Sequence, residues 1–140
     1  MEGKIFKNTA ILIIDKGEEV MESLVAFCKS KNITLANVTG LGASDNVTVA
    51  CFDNDIKEYV STVYDKDYYE VTNFTGNITL NNGEIYPHLH INFADHKQET
   101  FGGHLEKCII SATCELFLDI LEDTVDRTFD EEVGINILKF

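Results

Sequence analysis

Three histidines, His88, His90 and His104, are the residues of this sequence best suited to chemistry. The first two lie in Ile85-Tyr86-Pro87-His88-Leu89-His90-Ile91-Asn92-Phe93, a segment whose character alternates. In a strand, successive side chains point to opposite faces. Ile85, Leu89, Ile91 and Phe93 then share one face, and Tyr86, His88, His90 and Asn92 share the other. Both imidazoles leave the apolar face together, about 6.5 Å apart at a rise of about 3.3 Å per residue. That gap lets them converge on one metal ion with bonds of about 2.0–2.1 Å. A third ligand has to come from a neighbouring strand. His104 is the candidate, because it opens the next apolar run directly after Gly102-Gly103, where a backbone or ligand can approach closely. Three histidines with an open fourth position form a catalytic arrangement for zinc, whereas structural zinc sites are closed by four protein ligands. Spacing alone leaves a second reading open, in which H-x-H is a pair of solvated strand histidines.

Other reactive side chains carry weaker signals. Glu70 and Glu106 are candidates for moving protons or for supporting a metal ligand, and equally for exposed strand glutamates. His96 follows Asp95 in an expected turn and reads as a surface residue. The four cysteines, Cys28, Cys51, Cys108 and Cys114, form no C-x-x-C pair, so no cysteine zinc site is indicated. They read as reduced thiols, with Cys108 and Cys114 buried.

These residues need strands to hold them, and the sequence supplies strands. Residues 5–15 hold the cluster Ala10-Ile11-Leu12-Ile13-Ile14, a short apolar run that favours a buried strand. Glu18 to Lys31 predicts the one clear helix, with Val20, Leu24, Phe27 and Cys28 on one face and Asn32 as its stop. Leu35–Thr39 and Val47–Phe52 read as two strands joined by a turn-rich link, Gly40 to Asp45. No G-K-[ST] follows those glycines, so the link is not a phosphate loop. Glu58–Val63 and Tyr69–Leu80 are further strands, and Asn81-Asn82-Gly83 supplies a hairpin turn into Ile85–Phe93. Phe101–Leu121 opens as a strand; its end, Cys114 to Leu121, fits strand or helix by periodicity, and strand is favoured because Ile109, Ile110 and Thr113 are β-branched. Thr124–Asp130 and Ile135–Phe140 close the chain. The expected fold class is α+β: a mostly antiparallel sheet with one main helix, spanning residues 1–140 as one domain.

Charge narrows the partners. Lys and Arg total 11 against 24 Asp and Glu, a formal net charge of -13, and Arg127 is the sole arginine. Nucleic-acid affinity comes chiefly from neutralising phosphates with Lys and Arg, so a chain this acidic should be repelled by DNA. The start of the chain lacks a signal peptide's apolar run, and no stretch approaches the roughly 18 apolar residues of a membrane helix. A soluble, cytoplasmic protein is expected.

The order of several motifs resembles the plants-and-prokaryotes conserved (PPC) domain family. The segment from Gly40-Leu41-Gly42 through Val47 to Phe52-Asp53 resembles its G-x-G-x-x-x-x-V-x-x-x-x-F-D block. Tyr69-Glu70-Val71, Phe74-Thr75-Gly76-Asn77-Ile78, Gly83, Pro87-His88-Leu89-His90, Gly102-Gly103-His104-Leu105 and Arg127-Thr128-Phe129-Asp130 follow in order. The resemblance implies a compact homotrimer around an antiparallel sheet. It also implies that His88, His90 and His104 are metal ligands, for zinc or another divalent ion. In plants the domain accompanies AT-hooks, and stand-alone bacterial and archaeal members carry a DNA-binding label. This chain has no Arg-Gly-Arg tripeptide, the core of an AT-hook. Three functions are therefore in competition: a trimeric, metal-carrying regulatory scaffold with protein partners, a metal-dependent hydrolase-like enzyme for a small molecule, and direct DNA binding, which the charge opposes.

Overall fold

Nine strands and one helix follow one another in the computed structural model, which describes residues 1–140. They are β1 (Glu2–Phe6), β2 (Thr9–Asp15), α1 (Val20–Lys31), β3 (Ala36–Asp53), β4 (Glu58–Tyr64), β5 (Tyr69–Asn81), β6 (Glu84–Ala94), β7 (Thr100–Ile120), β8 (Asp126–Asp130) and β9 (Ile135–Lys139). Seven strands form one antiparallel sheet in the order β1-β2-β7-β6-β5-β3-β4, and β7 also pairs with β3. That extra pairing closes β3, β5, β6 and β7 into a ring. β8 and β9 form a separate hairpin. The fold is the mostly antiparallel α+β arrangement expected.

Two long, bent strands make closure possible. β7 pairs through residues 100–104 with β6, and through the rest of its length with β3 and β2. β3 pairs with β5 through its first half and with β4 through its second. The segment Gly40 to Asp45, expected as a link between two strands, is instead the bent middle of β3. The register slips between Gly40 and Gly42, between Gly42 and Ser44, and between Ser44 and Asn46. Such bulges bend a strand and raise its twist without ending it. A Cβ on Gly40 would stand 2.4 Å from the Glu115 carbonyl oxygen, so glycine serves close strand approach here rather than a turn. At the other end of the chain, the run read as one strand over residues 5–15 is the β1–β2 hairpin, turned at Lys7 with φ 57°.

The helix lies where its apolar spacing places it. Glu19 caps it, its carboxylate accepting from the Glu22 N–H at 2.7 Å, and Asn32 ends it at φ 56°. Val20, Leu24, Phe27 and Cys28 are buried and join Leu12, Ile14, Phe74, Leu89, Phe93, Leu105 and Leu116 in one core. Cys108 and Cys114 are buried in it as expected, and burial raises both thiols, Cys108 to about 12. No helix is long and apolar enough to cross a membrane.

The β5–β6 hairpin carries the first two histidines. Its turn uses Asn82 at φ 54° and Gly83 at φ 78°, the positive angles a tight two-residue hairpin requires. The Asp126 carboxylate accepts from both turn N–H groups, at 3.0 and 3.1 Å. This contact ties the C-terminal hairpin to the strand pair that holds the histidines.

Candidate metal centre

Alternation in β6 has the predicted result. Leu89, Ile91 and Phe93 are buried, while His88 is half-buried and His90 exposed on the opposite face. β7 brings the third histidine. His104 stands directly opposite His90 in the β6–β7 register, and opposite Ala50 of β3 on its other side. The ring centroids lie 5.5 Å apart for His88–His90, 5.1 Å for His88–His104 and 5.6 Å for His90–His104. One ligand nitrogen from each ring lies within 4.8 Å of the others. Nitrogens sharing a tetrahedral zinc stand about 3.3 Å apart at bonds of about 2.05 Å, so small ring rotations separate this arrangement from coordination.

The surroundings fit a divalent ion. His104 Nδ1 is buried without a hydrogen-bond partner, although buried polar atoms are nearly always satisfied. A metal ion would supply what the fold leaves missing. Burial, followed by the neighbouring Arg127 charge, lowers His88 to about 4. Burial, followed by His90, lowers His104. Both rings are therefore neutral at neutral pH, the form that offers a lone pair to a metal. Tyr59 of β4 stacks on His104, with centroids 4.9 Å apart and planes inclined by 29°.

A ring titration follows the His88 shift directly. In metal-free protein the His88 NMR midpoint is expected at about 4, against an ordinary value of 6.5. Between those values the unfolded state binds more protons than the folded state. Stability held above pH 6.5 therefore declines as the pH falls toward 4. A midpoint at or above 6.5 would show that neither burial nor Arg127 governs this ring.

Sequence reasoning missed Arg127. The guanidinium donates from Nε to Thr79 Oγ1 at 3.0 Å, from Nη1 to the Asn136 carbonyl at 3.3 Å, and from Nη2 to Asn77 Oδ1 at 3.0 Å and His88 Nδ1 at 3.2 Å. Because arginine only donates, His88 Nδ1 is the acceptor. The available signal was compositional: an acidic chain retains a single arginine. The two glutamates separate. Glu106 is exposed but close enough to raise His104 against the other influences. Glu70 pairs with Ala94, four residues along β6 from His90, and is not brought to the histidines. His96 is exposed, as expected, and contacts Asp67.

Known proteins share this architecture. The family model for the Plants and Prokaryotes Conserved (PCC) domain matches residues 1–122. A putative DNA-binding protein from Bacteroides thetaiotaomicron is 30% identical over 99% of this chain and 96% of its own, with a TM-score of 0.95. A putative DNA-binding protein from Ralstonia eutropha is 23% identical over 99% of this chain and 95% of its own, with a TM-score of 0.92. A metal-containing protein from Archaeoglobus fulgidus is 24% identical over 99% of this chain and 97% of its own, with a TM-score of 0.87. No curated protein matches the chain. With the domain match running from the first strand to the end of β7, and the ring of strands shared end to end with these structures, the chain belongs to the Plants and Prokaryotes Conserved domain family, the PPC family of its sequence resemblance.

Proposed function

We propose that this protein is a metal-carrying regulatory member of its family, holding one divalent ion on His88, His90 and His104 and acting as a homotrimeric scaffold for protein partners. The observation that carries the metal is the meeting of three imidazoles, one of which, His104, has a buried Nδ1 without a partner. Three imidazole nitrogen donors suit zinc. A structural relative described as metal-containing supports the same reading. The trimer and the transcription-associated role rest on family kinship and on relatives whose names carry a DNA-binding label. Elemental analysis of protein purified without added metal, combined with sedimentation, tests both parts. About one ion per chain in a species of three chains is expected; a metal-free protein or a stable monomer removes the corresponding part.

Direct DNA contact is opposed by the charges. The formal net charge is -13, and the only arginine is buried rather than presented to phosphates. Fluorescence anisotropy with a labelled duplex at low salt, where attraction is strongest, is expected to show no saturable binding. Saturable binding whose affinity falls steeply with salt would reinstate the DNA-binding reading.

A second reading is a metal-dependent enzyme, hydrolase-like, acting on a small molecule. It is favoured by the cavities on both sides of the trio. One of about 350 Å³ is lined by His90, His104, Gly102 and Tyr59. Another of about 580 Å³ is lined by His88 and Arg127. A bound zinc would supply Lewis-acid activation. The chain's own contributions would be three ligands, a Tyr59 ring against His104, and Glu106 as the nearby carboxylate for moving a proton. Turnover in a broad hydrolytic substrate screen that disappears in His88→Ala would establish it.

A further inference from the structure

Arg127 is 8% exposed, one of few polar side chains inside the molecule. A buried guanidinium ordinarily faces a carboxylate, because an unpaired charge is costly to remove from water. This one does not. All four of its hydrogen bonds reach neutral acceptors, on Thr79, Asn136, Asn77 and His88. None of the molecule's ion pairs includes it. Its Cζ lies over the Tyr86 ring, 5.1 Å from the ring centroid. A guanidinium has five N–H groups, so one on Nη1 is left without a partner.

The space beside it is shaped for a ligand. Arg127 lines the cavity of about 580 Å³, within the usual size range of small-molecule sites. Tyr59, Tyr86, Phe129 and Ile137 give it aromatic and aliphatic walls, and no Asp or Glu lines it. In a chain with 24 acidic residues, a cavity wall free of them around a buried cation leaves the counter-charge to be brought from outside. We propose that this cavity binds a small organic carboxylate, its anion paired with Arg127 and its apolar body held against Tyr86, Phe129 and Ile137. One cation among apolar walls suits a singly charged carboxylate. A phosphate dianion calls for several cations or a cluster of backbone N–H groups.

His88 links this site to the metal centre. A neutral imidazole has one lone pair, and His88 offers its own to Arg127 through Nδ1. Metal ligation through Nδ1 uses that lone pair directly. Ligation through Nε2 moves the ring proton to Nδ1 and turns the acceptor into a donor. Either route deprives Nη2 of a partner, which a carboxylate oxygen replaces. The carboxylate site stands on Arg127 and its cavity, however, and does not require the metal.

Benzoate is the probe, titrated into the full chain, metal-stripped and zinc-loaded, and followed by ¹H–¹⁵N NMR. Benzoate is expected to move the Arg127 Nε–H signal saturably, with benzamide at least about tenfold weaker, a difference of about 1.4 kcal/mol. Benzamide matching benzoate, no saturable movement at Arg127 in either sample, or inorganic phosphate binding there in place of benzoate would each overturn the proposal. Arg127 also anchors the C-terminal hairpin, so the companion variant is Phe129→Ala, whose side chain is 59% exposed and leaves the guanidinium intact. It is expected to weaken benzoate several-fold without changing the denaturation midpoint, and unchanged affinity would refute the placement of the apolar body. Metal content of the same samples separates the two readings: benzoate binding without metal retention keeps the carboxylate site and removes the metal centre, and the reverse removes the carboxylate site alone.

Discussion

His90→Ala is expected to yield a folded protein that no longer retains stoichiometric metal. His90 is the exposed member of the trio, on the face of β6 away from the core. Its removal opens no core cavity, so the denaturation midpoint of the metal-free protein should stay within about 0.5 kcal/mol of the parent. The metal has no such protection. Structural zinc sites bind with about 10–16 kcal/mol, roughly 3 kcal/mol for each of four ligands, so one lost imidazole weakens binding by on the order of a hundredfold. His96→Ala is the control. His96 lies in an exposed turn against Asp67, and its loss should leave metal content unchanged. Elemental analysis of the three proteins, purified side by side, reads the result. Full metal in His90→Ala would mean that the ion is held elsewhere.

The legible and illegible parts of this site divide by how far the relevant information travels along the chain. The shared face of His88 and His90 follows from alternation within one strand, a property local to nine residues, and burial along β6 agrees with it. The helix was legible for the same reason, with both its apolar face and its Asn32 stop encoded within one segment. His104 was different. Its place opposite His90 depends on the β6–β7 register, which no local pattern specifies; Gly102-Gly103 made it a candidate, and the family's motif order added the reason to join it to the pair. Gly40 and Gly42 misled because glycine signals both turns and close strand approach. Their actual neighbours, Glu115, Leu116 and Cys114, lie more than seventy residues away. Arg127 was the least legible. Its role depends on the C-terminal segment folding back across β5, where Thr79 and Asn77 receive it. In sequence it stood out as the sole arginine and as the start of the last family motif, with nothing local to place it beside His88.

Gly76→Ala is expected to damage both the fold and the metal centre, and the reason is steric rather than conformational. Gly76 pairs with Leu89 in the β5–β6 ladder, between the pairs Thr75–His90 and Asn77–His88. A Cβ there would stand 2.0 Å from the His88 carbonyl oxygen and 2.8 Å from the Leu89 Cα. Both obstacles are backbone, so no side-chain rotation relieves them. The methyl group must push β6 away from β5 between the two histidines. A destabilisation of about 3 kcal/mol, at the upper end for overpacking, should appear in urea denaturation, together with reduced metal retention. Gly83→Ala separates this effect from the general cost of replacing glycine. Gly83 has φ 78°, but a Cβ there meets nothing within 4 Å, so the left-handed conformation is the only penalty, about 1–2 kcal/mol. Its turn lies beyond the histidine-bearing part of β6, and metal content should survive. Equal stability losses accompanied by equal metal retention would show that the close approach at Gly76 does not position His88 and His90. The expected divergence would show that the spacing between two strands, set by one missing side chain, holds the imidazoles where they can meet His104.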